Sequence, residues 1–207
     1  MMRTGLSYKI IWLTAFSALL LTGCRSSPPP VEFYTLNAIR NAQTDTGQVA
    51  GMQPISIGVG PVAIPEVLDR PQLVIRTGPN TLRIEEFHRW AGRLDQDFAR
   101  VLAENISLLL ATEKVAVYPW DVSFKPQYQV TLDIRRFEGY WGQDVVLEVF
   151  WKVIDPRKGT TLRVKTSVIS EPFTANDYKA LVSTKSQTVA ELSNKIASEI
   201  KNLNSNP

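Results

Sequence analysis

One cysteine and one histidine are all that the 207 residues hold. A lone Cys24 excludes an internal disulfide framework, and Cys24 with His88 falls short of a Cys/His zinc site. Charge-relay chemistry would have to run through His88 alone. No Gly-x-Ser-x-Gly elbow and no phosphate-cradling Gly-Lys-Ser/Thr loop occurs. Gly58-Val59-Gly60 begins like a dinucleotide fingerprint, but the third glycine is missing and Pro61 stands where a helix should open. Excess charge is also lacking. The 23 Lys and Arg face 20 Asp and Glu, and Arg3 and Lys9 belong to a segment read below as removed, which leaves 21 against 20. A net charge near +1 gives no electrostatic footing for nucleic acid. With no metal, cofactor or nucleic acid indicated, what remains is a chain 44% hydrophobic and 21% charged, enough for one ordinary globular domain.

The N-terminus carries the strongest local signal. A basic head with Arg3 and Lys9 precedes Ile10 to Leu20, an uncharged apolar run. Such a head stays in the cytoplasm while the run enters the bilayer, the pattern of a secretory signal. The run is shorter than the roughly 20 apolar residues of a membrane span. It ends in Leu21-Thr22-Gly23-Cys24, which resembles the bacterial lipobox, so residues 1–23 read as a lipoprotein signal peptide and Cys24 as the lipidated residue. In that motif the Cys sulfur takes a diacylglyceryl group and its freed amine a further acyl chain. At about 0.8 kcal/mol per buried CH₂, three chains far exceed what stable anchoring requires. Arg25 stands where an Asp would resemble the inner-membrane retention signal of enteric lipoproteins, which favours the outer membrane, lipid-anchored and facing the periplasm, with a Gram-positive surface lipoprotein the alternative from this segment alone. Residues 24–30 form the lipidated Cys and a Pro-rich tether, whose six residues after Cys24 reach roughly 20 Å when extended.

Residues 31–207 read as a single α+β domain. Phe33 to Leu36 forms a short strand, and the polar stretch Asn37 to Gln53 a long loop. Ile55, Ile57 and Val59 alternate as in a half-buried strand that Pro61 and Pro65 break. Leu73 to Thr77 and Thr81 to Glu85 flank a Gly78-Pro79-Asn80 turn. From Arg93 the period changes, and Leu94, Phe98, Val101, Leu102 and Leu109 share the face of a helix of about 18 residues. Val115 to Tyr118 is a strand closed by Pro119. Tyr128, Val130, Leu132 and Ile134, then Val145, Leu147, Val149, Trp151 and Val153, then Leu162, Val164 and Val168, are three sets expected on one buried sheet face. Tyr178, Leu181, Val182, Val189, Leu192, Ile196, Ile200 and Leu203 recur at helical spacing. The expected architecture is a mostly antiparallel sheet with two main helices packed on one face, a two-layer sandwich.

Candidate chemistry is thin. Glu85-Glu86 and Asp95 with Asp97 read as solvated edges, and His88 as a structural histidine. Phe150 has the opposite parity to core Trp151, and Tyr140-Trp141 fall in a hairpin connection between Gly139 and Gly142. Either neighbouring elements cover these aromatics, or Tyr140, Trp141 and Phe150 form a contact for a partner or an acyl chain.

The lipobox, Phe33-Tyr34-Thr35-Leu36, Gly58-Val59-Gly60-Pro61-Val62, Ile64-Pro65, Glu85 to Leu94, Val101 to Asn105, Arg136-Phe137-Glu138-Gly139 and Val145 to Trp151 together resemble the PqiC family. These are auxiliary lipoproteins of ABC-type and MCE-type lipid transport systems. The resemblance implies a non-enzymatic, outer-membrane subunit that receives or secures an inner-membrane MCE protein (PqiB-like) whose tube or needle carries lipid across the periplasm. It also implies a multimeric needle, to which a homo-oligomeric ring of this chain would be matched in symmetry. A structural envelope lipoprotein without lipid traffic is the alternative.

Overall fold

The computed structural model describes residues 27–39, 55–174 and 177–205. The signal segment, Cys24 and most of the Asn37-to-Gln53 stretch lie outside the described residues, while Ser27 to Pro30 are exposed and carry no regular structure. From Val31 the chain forms one compact body. Its strands are β1 (Glu32–Tyr34), β2 (Ile57–Ala63), β3 (Gln72–Gly78), β4 (Thr81–Trp90), β5 (Val115–Val117), β6 (Tyr128–Gly139), β7 (Asp144–Asp155) and β8 (Thr160–Pro172). The helices are α1 (Leu94–Leu110) and α2 (Tyr178–Ser205).

The α+β expectation holds, but the strands divide between two sheets, ordered β5-β2-β6-β7-β8 and β1-β4-β3. Neither is purely antiparallel: β2 runs parallel to β5 and β6, and β1 parallel to β4. Parallel neighbours need long crossovers rather than tight turns. The β3–β4 hairpin and α1 supply that length between β2 and β5.

Period-2 and period-3.6 burial meet between the larger sheet and the helices. Ile57, Val59, Val130, Ile134, Leu147, Val149, Trp151 and Val153 from the sheet share one core with Phe98, Val101, Leu102 and Ile106 of α1 and Val189, Leu192 and Ile196 of α2. Asp95 and Asp97 occupy the first turn of α1, where the helix dipole favours negative charge. The helix stops at Ala111, in the left-handed region at φ 49°, and the next residue, Thr112, ties it to β2 by donating its hydroxyl to the Ile55 carbonyl at 2.8 Å.

Two strand expectations change. Pro61 does not end β2: the strand runs to Ala63, with a register shift between Val59 and Val62. A bulge is where a sheet tolerates a residue without an N–H. In β8, Val164 and Val168 are solvent-facing rather than buried, at 52% and 64% exposure. The cause is a register shift opposite Val153 and Ile154 that changes the parity of β8. Beyond it Ser167 sits opposite Val149, its hydroxyl accepting from Trp151 Nε1 at 3.0 Å, and Ile169 sits opposite Leu147 in the core. Arg163 and Lys165, on the same side, reach Glu199 of α2 at 3.3 Å and 2.5 Å. Val168→Lys is therefore expected to change stability by no more than about 0.5 kcal/mol. Ile169→Ala should lose about 2–4 kcal/mol, both read by urea denaturation.

Candidate functional site

The seam of the smaller sheet with the larger one holds a buried ion pair and a buried lysine. Ile75 of β3 is buried against Val145, Phe173 and Leu181. The next residue, Arg76, grips Glu138 of β6 through two parallel hydrogen bonds, from Nε at 2.5 Å and from its terminal nitrogen at 2.6 Å. Arg136 lies 3.5 Å from the same carboxylate. Burial opposes the charge on Glu138, but the Arg76 hydrogen bonds and the two guanidiniums outweigh it and hold the carboxyl below its usual range.

Beside this pair, Lys185 of α2 is buried, with Nζ donating to the Phe137 carbonyl at 2.5 Å and lying 4.1 Å from the centre of the Phe137 ring. Desolvation pulls its pKa down to about 7, against the upward pull of Glu138. The sequence carried a signal for this residue: Lys185 is four positions from both Leu181 and Val189, on the face of α2 that packs on the sheet.

A second cluster joins the first strand to α2. The Tyr34 hydroxyl donates to Glu32 at 2.6 Å and accepts from His88 Nδ1 at 2.9 Å, which fixes the proton of that ring on Nδ1. His88 stacks on Tyr178 with ring centres 3.5 Å apart. Burial, then the Glu32 hydrogen bond, raise the Tyr34 pKa; burial, then Glu85, raise that of Tyr178. Both tyrosines are thereby held as neutral packing and hydrogen-bonding groups.

Asp97 is no solvated edge. It accepts from the Leu36 N–H at 2.7 Å and from the Thr35 hydroxyl, while Asn105 accepts from the Ile39 N–H at 2.8 Å and Ser186 from that of Asn37 at 3.1 Å. The irregular chain after β1 thus has its amides satisfied by side chains of both helices. A groove of about 630 Å³ opens beside it, and its Arg100 is already paired with Asp97 and Glu104 at 2.6 Å and 2.7 Å.

The sequence-selected aromatics occupy separate places. Trp141 packs on Phe173 and edge-on to Tyr178, each at 5.2 Å between ring centres. Tyr140 is half-buried, its hydroxyl 3.3 Å from Arg136. Phe150 lies mid-strand on the sheet face away from the helices, flanked by Arg135 at 5.7 Å and Lys152 at 5.3 Å from its ring centre. Gly58 and Gly60 serve close packing rather than a nucleotide: a Cβ on Gly58 would lie 2.5 Å from the Trp120 ring, and one on Gly60 2.9 Å from the Tyr118 Cβ. Among the described residues, no three His, Cys, Asp or Glu side chains are placed to hold a metal, and no helix is long and apolar enough to cross a membrane.

Buried charge and stacked rings here join elements, and the class they define is a two-sheet, two-helix α+β domain. The chain belongs to the family described as ABC-type transport auxiliary lipoprotein component, whose profile matches residues 34–197. This is a transport-auxiliary family, not an enzyme family. The chain is 25% identical over 198 residues to the intermembrane transport lipoprotein PqiC of Escherichia coli, across 93% of this chain and 98% of that one, and equally so to PqiC of Shigella flexneri. Its fold matches that of protein XCC0632 from Xanthomonas campestris, with a TM-score of 0.65 at 15% identity over 81% of this chain and 93% of the other. By family, the protein is thus a transport auxiliary lipoprotein.

Burial of Lys185 has a consequence for pH dependence. Its folded pKa near 7 lies below the unfolded value near 10.5, so the unfolded chain binds the extra proton between those pH values. The burial penalty is full below pH 7 and is relieved as pH rises. Denaturation at pH 7 and pH 9.5 should show the wild type gaining stability with pH relative to Lys185→Met, by a difference of at most about 3 kcal/mol.

Proposed function

We propose that the protein is anchored in the outer membrane by acyl chains on Cys24, faces the periplasm, and docks or secures an MCE-domain protein of the inner membrane, PqiB-like, within an intermembrane lipid transport system. The observation that carries the reading is the match to PqiC along 93% of the chain. The tether supports it: a body held within roughly 20 Å of its membrane cannot span a periplasm and needs a partner that does. The lipobox supports the anchor, because the chain's only cysteine falls at the motif's acylated position. Tyr140, Trp141 and Phe150 remain the candidate contacts for partner or lipid, with Phe150 and its flanking Arg135 and Lys152 the part of that set on the sheet face away from the helices.

Cys24→Ala should fold with an unchanged unfolding midpoint and leave the outer-membrane fraction, since every acyl attachment runs through that sulfur and amine. Affinity purification of the wild type from membranes should recover an MCE-domain protein and lipid. Recovery of peptidoglycan or porins alone would favour a structural envelope lipoprotein.

A ring of several copies is the assembly expected around a multimeric tip. The long edge strand β8 and the short edge strand β5 are the sheet edges that neighbouring copies could cover. Mass photometry of the detergent-solubilised chain should report one closed oligomer; a monomer that still binds the partner removes the ring.

A further inference from the structure

Aromatic exposure near the tether points to a second contact. Phe33 is 65% exposed, and Val31 and Phe87 are each 39% exposed. In the β1–β4 register Phe33 lies opposite Arg89, and Tyr34 opposite Trp90. Tyr34 and Trp90 are buried. Val31 and Phe87, each two residues from that Phe33–Arg89 pair, are exposed beside Phe33. These side chains form an apolar strip across β1 and its neighbour β4, and the strip begins just before β1, at Val31.

We propose that this strip, Val31, Phe33 and Phe87, seats on the surface of the same lipid bilayer that holds the acylated Cys24. The inference rests on the reading of Cys24 as the anchor. Chain length supports a bilayer over other occupants: Val31 is seven residues from Cys24, so the strip can never be more than about 25 Å from the anchoring point. Size supports it too. The three side chains expose on the order of 300 Å², well short of the roughly 800 Å² that a partner in a stable protein interface contributes. A contact too small to hold a free protein is sufficient beside an anchor, because the tether already supplies a high effective concentration. The strip's one cation, Arg89, lies 3.6 Å from Glu86. The strip is also fixed to the body, since β1 is clasped by the Tyr34–His88 hydrogen bond and the chain after it by Asp97. Seating it therefore sets the tilt of the whole domain on the membrane.

The test uses the full acylated chain in vesicles of phosphatidylethanolamine and phosphatidylglycerol. With the Cys24 sulfur acylated, a cysteine introduced by Phe33→Cys, Phe87→Cys or Lys158→Cys is the only free thiol and takes one environment-sensitive fluorophore. Lys158, in the turn between β7 and β8, serves as the control. Contact at the depth of the headgroup–acyl boundary predicts that nitroxide-bearing lipids quench about half or more of the signal at 33 and 87 and little at 158. Unchanged unfolding midpoints verify that the labelled chains fold. A chain that floats with vesicles while position 33 is quenched no more than position 158 overturns the seat and leaves the anchor standing. A blue shift at 33 without lipid quenching means that protein covers the strip, and also overturns it. A wild-type chain that does not float overturns the anchor reading, and the seat with it.

Discussion

The pairing of Arg76 with Glu138 is the interaction on which the joining of the two sheets turns. Alone, the three strands β1, β4 and β3 would be marginal, because so small a sheet buries too little apolar surface to offset the entropy of ordering it. It persists by borrowing. Tyr34, Leu73, Val74 and Trp90 enter the core built by the helices, and Ile75 enters a smaller cluster with Val145, Phe173 and Leu181. Arg76 must then find an anion, and Glu138, nearly enclosed, must find a cation. A bidentate pair satisfies both, and loss of Arg76 would leave Glu138 only the longer contact to Arg136. Lys185 lies next along, bonded to the carbonyl of Phe137 just before Glu138, so the same carboxylate moderates two cations on different elements.

This seam gives the domain a mechanical continuity that suits a tethered protein. The strand that follows the tether, β1, is only three residues long. It is nonetheless fixed to both layers: to β4 by its register, to α2 through His88 stacked on Tyr178, and to α1 through Asp97 and the chain after it.

The buried polar groups fit the same purpose. Asn105, buried in α1, accepts from Ile39 and donates to Ser193 of α2 at 3.1 Å, linking the loop and both helices through one amide. Such a group is tolerated in a core only when its partners are complete, and each one specifies a single packing of the helices. These buried polar groups join elements of the domain.

Much of this was legible in the residue order. The core face of α1 from Leu94 to Leu102, and those of β6 and β7, follow from spacing alone, because period 3.6 and period 2 are properties of the backbone and need no partner to be recognised. The parity of β8 was decided elsewhere, by a one-residue register shift against β7 that turned Val164 and Val168 to solvent and put Ile169 inside. A register belongs to two strands at once, and neither sequence contains it. Tertiary structure likewise divided the strands into two sheets, covered Trp141 with Phe173 and Tyr178, and enclosed Lys185 over the Phe137 ring. Each of these depends on contacts between residues far apart in the chain, whose energies exist only once the elements have met.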